Sequence, residues 1–552
     1  MNAHDLPILL DRTSELPLAA QLASALRRAI LGGVLRHDEA LPSTRALAAS
    51  VRVSRGTVVA AYDQLAGEGY LLARPGSATR VMVERSDALA DAVDGTHGHL
   101  SRGRARPTAS GPSTSSTASG PSTASTQSTA SGPSTASTQS TASTQRPASA
   151  TPDLTPLPLI DLAPGHPSTR TLVDPAWTAA WRSAVQASGR SDSPPASGTL
   201  ELRTAIAEHV RRARGLACRP DDVIVTAGTS DALASIGLAL AALAGGDTAG
   251  SGTDTGTGSG TSSCTEPAAT LRMVTPRIAV EDPGYPTALR VLRRVGAHLL
   301  PVRTDPHGID LAELAALVPA PHAVLITPSH QYPLGSSLSV QGRLDLLDWA
   351  HAADAVVIED DYDSEFRFGA APLPALATLD TSGRVALVGS FSKTVTPWIR
   401  CGYIIATGDL GAALREVRDD LGPSVSGVQQ AALARYLEGG GLARNVTRVR
   451  REYAHRRALV IGTLGALPGV RLAGLDGGLH VVVHIDVAGE ADASALITQA
   501  AARGVRVASL ADYTVRDRGQ HGLVLGYGSP TDLELGRALD VLARLLTAPA
   551  GH

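Results

Sequence analysis

Residues Val385–Lys393 read Val-Ala-Leu-Val-Gly-Ser-Phe-Ser-Lys, an unbroken apolar run followed at once by small polar residues and a lysine. A short, wholly apolar run is typical of a strand that is buried on both faces of a parallel sheet. Ligands of open α/β sheets bind beyond the carboxyl ends of such strands. We therefore predict a buried strand that presents Lys393 to a ligand site.

Lys393 is the only lysine of the chain, so 48 of the 49 Lys+Arg residues are arginine. Arginine can replace lysine wherever only positive charge is needed. It cannot replace a lysine whose neutral amine must attack a carbonyl, because a guanidinium stays protonated and is a poor nucleophile. This contrast predicts that Lys393 is a catalytic residue.

Three further apolar runs share this pattern, and each leads directly into polar residues: 223–225, 323–326 and 355–358. Together they predict an α/β domain with a large, mainly parallel sheet. The run 355–358 leads into Glu359-Asp360-Asp361-Tyr362. A carboxylate there can pair with a protonated pyridine nitrogen, and a phenol can hydrogen-bond a ring hydroxyl.

The run 223–225 leads into a glycine turn and a predicted helix start at Gly228, Thr229 and Ser230. Backbone N–H groups and the helix dipole make such a start a phosphate site. Further polar groups for that phosphate follow the Lys393 strand, namely Ser390, Ser392 and Arg400.

The turn at residues 281–286 adds Tyr285, whose ring is suited to stacking on a pyridine. An amine, a carboxylate, a phosphate site and an aromatic ring together predict binding of pyridoxal 5'-phosphate (PLP), with Lys393 forming the Schiff base.

The N-terminal segment, about residues 8–84, predicts a small domain of three helices followed by a two-stranded hairpin. Ser54 is placed to cap a third helix whose first turn exposes Arg55 and Thr57, and Arg45 begins the helix before it. We predict that Arg45, Ser54, Arg55 and Thr57 contact DNA.

Two low-complexity segments separate or interrupt the predicted domains. Residues 85–158 are rich in Ser, Thr, Ala and Pro and predict a disordered linker. A Gly/Ser/Thr-rich stretch at about 245–265 predicts a loop insertion within the second domain, which spans residues 159–548.

Composition narrows the class of protein. Hydrophobic content of 43% and a net charge of -3 indicate ordinary globular domains, so any DNA-binding charge must be local. No segment has the length of a membrane helix, and the three cysteines match neither zinc spacing nor a disulfide framework. We expect a cytoplasmic protein with no metal site and no membrane contact.

Residues 16–83, including the string LPSTRALAASVRVSRGTVVAAYDQLAGEGY, resemble the GntR-type winged helix-turn-helix nearly end to end. The resemblance implies that the hairpin tip, with Arg74, Gly76 and Ser77, is the wing that contacts the minor groove of DNA. Residues 159–548 resemble fold-type I aminotransferases, specifically the aminotransferase-like domain of MocR/GabR regulators. The strings EDPGYP, ITPSHQYPLG, IEDDYDSEFRF, GSFSKTVTPWIRCGY and GGLH carry that likeness. The resemblance implies an α+β DNA-binding domain joined to an α/β PLP domain that has a large sheet domain and a smaller α+β domain.

The family pattern implies a role for individual residues. Lys393 is similar to the lysine that binds PLP, Asp360 to the partner of the pyridine nitrogen and Tyr362 to the partner of the ring hydroxyl. It also implies that His330 and Gln331 lie near the cofactor. Residues 522–527 depart from the aminotransferase pattern, because they lack the arginine that commonly clamps a substrate carboxylate. The nearest arginines are Arg503, Arg506, Arg516 and Arg518.

The leading hypothesis is a transcription regulator that binds promoter DNA as a head-to-tail homodimer and senses PLP or an amino compound. A second hypothesis is a working aminotransferase with an accessory DNA-binding head. A third is an effector domain that binds no PLP.

Overall fold

The computed structural model describes residues 10, 17–31, 34–67, 70–72, 78–82, 159–187, 189, 191–246, 274–368, 374–485, 490–516 and 521–547. The predicted linker at 85–158 and nearly all of the predicted insertion at 245–265 lie outside these residues. The hairpin-tip residues Arg74, Gly76 and Ser77 also lie outside them.

The N-terminal residues 17–82, called the head below, contain three helices and a hairpin. The helices are α1 (Leu18–Leu31), α2 (Thr44–Val51) and α3 (Arg55–Gly67), and the strands are β1 (Leu71–Leu72) and β2 (Arg80–Val81), which pair antiparallel. Ser43 caps α2 by accepting a hydrogen bond from the backbone N–H of Ala46 at 3.2 Å. Fully buried Leu26, Leu47 and Leu65, one from each helix, join the helices in one apolar cluster.

Residues 159–547, called the body below, alternate strands and helices. The strands are β3 (Ile160–Asp161), β4 (Val223–Thr226), β5 (Arg277–Asp282), β6 (His298–Asp305), β7 (Gly308–Ile309), β8 (Ala323–Ile326), β9 (Val356–Asp361), β10 (Val385–Ser390), β11 (Gly402–Ile405), β12 (Val470–Ala473), β13 (His480–Ile485), β14 (Val505–Arg506), β15 (Ala508–Ser509) and β16 (Gly522–Gly526). The helices are α4 (Pro175–Gln186), α5 (Leu200–Arg214), α6 (Thr229–Gly246), α7 (Pro286–Arg294), α8 (Leu311–Ala315), α9 (Val340–Ala352), α10 (Gly408–Leu421), α11 (Gly427–Glu438), α12 (Gly441–Leu464), α13 (Glu490–Ala502) and α14 (Asp532–Thr547).

Within the described residues, the large sheet of the body has eight strands in the order β4-β11-β10-β9-β8-β5-β6-β7. Neighbouring pairs from β10 to β6 are parallel, whereas β11 runs antiparallel to both β10 and β4. The four strands that the apolar runs predict are all in this sheet. Their carboxyl ends therefore meet at one edge, as predicted.

A smaller α+β part completes the body. Its antiparallel sheet has the order β12-β13-β16-β15, and buried residues of α12, α13 and α14 pack in its apolar cluster. The predicted combination of a large mixed sheet and a smaller α+β part is confirmed. In the part of the chain that the structure describes, no helix combines the length and the apolar character that crossing a membrane requires.

Candidate functional site

A cavity of about 300 Å³ lies at the carboxyl ends of the strands of the large sheet. Ten of the eleven residues predicted to bind the cofactor line it: Lys393, Asp360, Tyr362, Tyr285, Gly228, Thr229, Ser230, Ser390, Ser392 and Arg400. They come from segments that are as far apart as residues 228 and 400. The fold therefore brings together, in one cavity, residues that were predicted from separate segments of the sequence.

Lys393 follows β10 by three residues, and its Nζ donates a hydrogen bond to the carbonyl oxygen of Gly165. Burial lowers the pKa of the Lys393 ammonium, and the negative charges of Asp363 and Asp360 oppose that effect. A lowered pKa raises the fraction of neutral amine, which is the form that attacks an aldehyde.

Alternation along β9 decides which of three successive carboxylates faces the cavity. Glu359 and Asp361 point away from it. Glu359 accepts the backbone N–H of Leu376 at 2.8 Å, and Asp361 pairs with the guanidinium of Arg214 at 2.6 Å. Asp360, between them, lines the cavity. The strand geometry thus gives Asp360 alone access to a ligand.

The carboxylate of Asp360 is buried and incompletely satisfied. Its Oδ1 has no hydrogen-bond partner among the described residues. Burial, together with the charges of Asp361 and Glu281, raises the pKa of Asp360 to about 7. An orphaned buried acceptor costs free energy that a cationic donor would recover. The site therefore fits a protonated pyridine nitrogen.

The phosphate end of the cavity is a cradle of backbone N–H groups at the start of α6. Gly228 holds the turn before α6 with a φ of +95°, a conformation that favours glycine. Ser390 and Ser392 lie across from it, with their hydroxyl oxygens 3.0 Å apart. The exposed guanidinium of Arg400 completes the lining. This donor set suits an anion such as a phosphate.

Three tyrosines form one aromatic wall of the cavity. Tyr332 contacts Tyr285 and Tyr362 edge to face, with ring centroids 5.7 and 5.4 Å apart. Tyr285 and Tyr362 were predicted site residues, whereas Tyr332 was missed. Tyr332 lies in the string His330-Gln331-Tyr332-Pro333, directly after the two polar residues that the resemblance places near the cofactor.

His330 does not line the cavity. It lies directly behind Tyr362, with its Nδ1 2.9 Å from the Tyr362 hydroxyl. Gln331 is buried and braces its loop, because its Nε2 donates to the carbonyl oxygen of Pro283 at 2.8 Å. Both residues therefore reach the cavity only through neighbours.

Sequence reasoning missed several lining residues besides Tyr332: Pro164, Gly165, His166, Thr327, Pro397, Leu479 and His480. The first three enter because β3 pairs with β14 from the far end of the chain. No local pattern could have revealed that long-range pairing. His480 belongs to the string GGLH, which is part of the resemblance to the aminotransferase-like domain, but the resemblance gave no role to this histidine.

Of the arginines nearest to the missing carboxylate clamp, the three that the structure describes do not line the cavity. Arg503 donates to the carbonyl oxygen of Gln499 at 2.9 Å. Arg506 pairs with Asp161 at 3.5 Å and Arg516 pairs with Glu313 at 3.3 Å. Arg518 lies outside the described residues.

The head presents part of the predicted DNA face. The Ser54 hydroxyl accepts the backbone N–H of Thr57 at 3.1 Å and so caps α3. Arg45 and Arg55 are exposed in the first turns of α2 and α3, and Arg55 Nε donates to the Thr44 hydroxyl at 3.3 Å. These side chains are placed to meet a DNA groove or backbone.

Comparison with protein-family models matches two regions of the chain. Residues 18–81 match the bacterial regulatory proteins of the gntR family, and residues 252–520 match aminotransferase class I and II.

Two curated relatives are similar over nearly their whole lengths. The HTH-type pyridoxine biosynthesis transcriptional regulator PdxR of Corynebacterium glutamicum is 36% identical, with 95% of each chain covered. The probable rhizopine catabolism regulatory protein MocR of Rhizobium meliloti is 31% identical over 94% of this chain and 92% of that one.

Among solved structures, an archaeal alanine:glyoxylate aminotransferase superposes with a TM-score of 0.60 at 21% identity. The match covers 71% of this chain and 91% of that one. At this identity the likeness shows the fold of the body.

Proposed function

This chain belongs to the MocR group of HTH-type transcriptional regulators, which join a GntR DNA-binding region to an aminotransferase class I and II domain, and on that premise we propose that it regulates transcription in response to PLP held at Lys393. The orphaned Oδ1 of Asp360, buried at the end of β9 and facing the cavity, is the observation that supports PLP most directly.

When bound, PLP supplies an aldehyde for an amine and an electron-withdrawing pyridine ring. Lys393 would hold the aldehyde carbon, and Asp360 would hold the pyridine nitrogen. Tyr362 would donate to the ring hydroxyl oxygen, and Tyr285 would stack on the ring. The start of α6, with Ser390, Ser392 and Arg400, would bind the phosphate.

We propose that PLP itself, rather than an amino acid, is the sensed ligand. Arg400 is the only guanidinium that lines the cavity in the described part of the chain, and it lies with the phosphate cradle. An amino acid would bring a carboxylate with no bidentate partner, which a tight amino-acid site requires. The relative from Corynebacterium glutamicum is named as a regulator of pyridoxine biosynthesis, which supports the same ligand, so we propose vitamin B6 genes as targets.

A contact between head and body supports a route by which the ligand could alter DNA affinity. Val340 and Leu344 of α9 are buried in the apolar cluster of the head. Between them, Arg343 donates to the carbonyl oxygen of Pro328 at 3.0 Å and to the hydroxyl of Ser329 at 3.3 Å. Ser329 precedes His330, which contacts Tyr362. Linkage then requires PLP to favour one arrangement of this contact over another.

We further propose that the protein acts in the cytoplasm as a head-to-tail homodimer on double-stranded promoter DNA. Two heads on one dimer would read paired half-sites and gain avidity. Exposed Arg45, Arg55 and the capped start of α3 supply the DNA-facing surface that supports this arrangement.

The test is fluorescence anisotropy with labelled DNA from the region upstream of the protein's own gene, measured with and without PLP. We expect PLP to change the dissociation constant by about fivefold or more. Lys393→Ala should abolish this response and also the visible absorption band, which in the wild type should disappear when borohydride reduces the bond between Lys393 and PLP.

A panel of free amino acids, added in place of PLP, is the control and should leave DNA affinity unchanged. Steady amino transfer at enzyme rates, with DNA affinity that is indifferent to PLP, would instead favour an aminotransferase. A protein that stays colourless with PLP would favour an effector domain of another kind.

A further inference from the structure

His330 is a buried residue with an unusual pair of neighbours on one ring nitrogen. Its Nδ1 lies 2.9 Å from the Tyr362 hydroxyl and 3.0 Å from Oδ2 of Asp363. The rings of His330 and Tyr362 are stacked, with centroids 6.0 Å apart and planes 27° apart. Since Tyr362 lines the cavity and His330 does not, the imidazole stands behind the phenol.

The groups around the imidazole indicate which ring nitrogen of His330 carries the hydrogen. An ionised carboxylate only accepts hydrogen bonds, so Nδ1 must carry the hydrogen that faces Asp363. The other ring nitrogen, Nε2, is buried with no partner among the described residues, so a hydrogen there would be unmatched. Both ends of the ring thus favour the Nδ1–H form.

This form has a consequence for Tyr362. A hydrogen-bearing Nδ1 cannot accept a hydrogen bond from the phenol. Burial and the neighbouring Asp363 carboxylate raise the pKa of Tyr362 well above its ordinary value, so the phenol keeps its own hydrogen. The Asp363 carboxylate can also accept that hydrogen, so the phenol O–H has to turn from Asp363 to reach an acceptor on a ligand in the cavity, while the phenol oxygen is held from behind by the imidazole.

The surroundings of the pair are closely packed. Gly478, with a φ of +72°, closes over it, and a Cβ there would lie 2.4 Å from Asp363 Oδ2 and 2.6 Å from His330 Cε1. His480 lies with its ring 5.3 Å from that of His330, and burial lowers its pKa to about 4, so it is neutral. The other titratable or charged groups around Asp363 and His330 are Asp360, Tyr332, Arg367, Lys393 and Tyr527.

We propose that the His330–Asp363 pair is a positioning device that fixes the Tyr362 hydroxyl as a hydrogen-bond donor to the ring oxygen of the bound cofactor. The proposal rests on the proposed binding of PLP at Lys393. It assigns His330 a role that acts through Tyr362 and needs no contact with the cofactor itself.

The test is a pH titration of the visible absorption band of the PLP-loaded protein. A hydrogen bond donated to the anionic oxygen of the pyridine ring stabilises the negative charge on that oxygen. It therefore lowers the proton affinity of the nitrogen that would join Lys393 to the cofactor, because that nitrogen and the ring oxygen share one proton. Tyr362→Phe should therefore raise the pH midpoint of the band, by about 1 unit or more for a tenfold change in proton affinity. His330→Phe, which keeps a ring but has no N–H, should shift the midpoint in the same direction by a smaller amount.

The double variant separates positioning from a merely structural role. If His330 acts through Tyr362, adding His330→Phe to Tyr362→Phe should produce no further shift. His330→Asn, whose amide N–H replaces the N–H of Nδ1, should recover part of the wild-type midpoint. Should His330→Phe not fold, His330→Leu also removes the N–H and gives the same test.

A matched control is His209→Phe, because His209 also lies beside a carboxylate, Glu365 at 3.5 Å, yet lies outside the cavity lining. Its midpoint should equal that of the wild type. An unshifted His330→Phe midpoint, or additive shifts in the double variant, would overturn the positioning role while leaving PLP binding intact. Absence of any band in the wild type would overturn both proposals.

Discussion

At the scale of single residues, the site depends on a carboxylate that the protein buries without a full set of partners. Glu359 and Asp361 are satisfied by backbone N–H groups and by Arg214, whereas Oδ1 of Asp360 has none among the described residues. An unsatisfied buried acceptor destabilises the fold by about 1–3 kcal/mol. A ligand with a protonated nitrogen that donates to Oδ1 of Asp360 recovers that free energy. The unsatisfied oxygen therefore destabilises the fold and favours binding of such a ligand.

The pH dependence of stability should report this buried acid. The folded pKa of Asp360, about 7, lies above its ordinary value of 3.8, so the folded protein holds the proton more tightly than the unfolded chain does. Stability of the PLP-free protein should therefore fall as pH rises between about 4 and 7, by up to about 1.4 kcal/mol per pH unit from this group. Asp360→Asn should flatten that fall in thermal unfolding scans.

Exposed Asp419→Asn on α10 makes the same chemical change in solvent and is the control for Asp360→Asn. It should leave the pH profile unaltered. PLP should raise the unfolding temperature of Asp419→Asn as it does that of the wild type, and should raise that of Asp360→Asn much less. An unchanged pH profile in Asp360→Asn would exclude Asp360 as the titrating group.

At the scale of elements, hydrogen bonds hold the start of α3 and the turn before it, which carry predicted DNA-binding residues. Ser54 caps α3 through Thr57, and Arg55 is linked to Thr44 of α2. Arg52 ends α2 in the left-handed conformation with a φ of 54°, which turns the chain sharply into α3. The first turn of α3 therefore has little freedom, and a DNA partner would not have to order it.

Removing the Arg55 side chain should weaken DNA binding. We expect Arg55→Ala to raise the dissociation constant for promoter DNA by about fivefold to a hundredfold, for a loss of 1–3 kcal/mol. If Arg55 contacts a phosphate, the slope of the logarithm of the binding constant against the logarithm of salt concentration should also become shallower by about 1, because one counterion fewer is released. Anisotropy titrations at several salt concentrations measure both effects.

The control is Arg211→Ala. Arg211 is an exposed arginine of the body that pairs with Glu208 at 2.7 Å, so its substitution removes the same charge outside the head. Its DNA affinity should match the wild type. The placement of α3 against DNA fails if both variants weaken binding equally, or if neither does.

The elements also mark how far the sequence could be taken. Apolar runs located β4, β8, β9 and β10, but three of these strands, β4, β9 and β10, continue past the end of the apolar run. The run 355–358 stops before Glu359, yet β9 continues to Asp361. Acidic residues on a strand broke the apolar pattern because each has its own buried partner or faces a ligand, which only tertiary structure reveals.

Residues contributed across long sequence distances could not be predicted at all. The strings around Lys393, Asp360 and Gly228 each carried their own chemical signal. Gly165, by contrast, meets Lys393 only because β3 pairs with β14. Tyr332 and His480 lay in strings already noted, but nothing local distinguished a cavity residue from a core aromatic.

At the scale of the whole molecule, apolar surface is exposed beside the cavity. Trp398, two residues before Arg400, is 93% exposed. The carbonyl of its neighbour Ile399 accepts a hydrogen bond from Gln429 of α11, which places this tryptophan near that helix. Val185 at the end of α4 and Leu200 at the start of α5 are also exposed. Exposed large apolar residues commonly mark protein interfaces, which supports the proposed homodimer.

Analytical ultracentrifugation should find a species of twice 56.6 kDa at micromolar concentration. Trp398→Asp should weaken that dimer, because a charge would have to be buried at the interface. Val318→Asp changes a residue that is equally exposed, at 93%, and should not alter the mass. A monomeric wild type would contradict the proposed assembly.

The solitary lysine at the base of the cavity gives the molecule a built-in tag. A lysine-specific protease can cut the unfolded chain at one peptide bond, between Lys393 and Thr394. It yields two fragments when that amine is free and a single intact polypeptide when a reduced vitamin B6 adduct blocks it. One lane of a denaturing gel of the purified protein would then give the fraction of molecules that carried the cofactor.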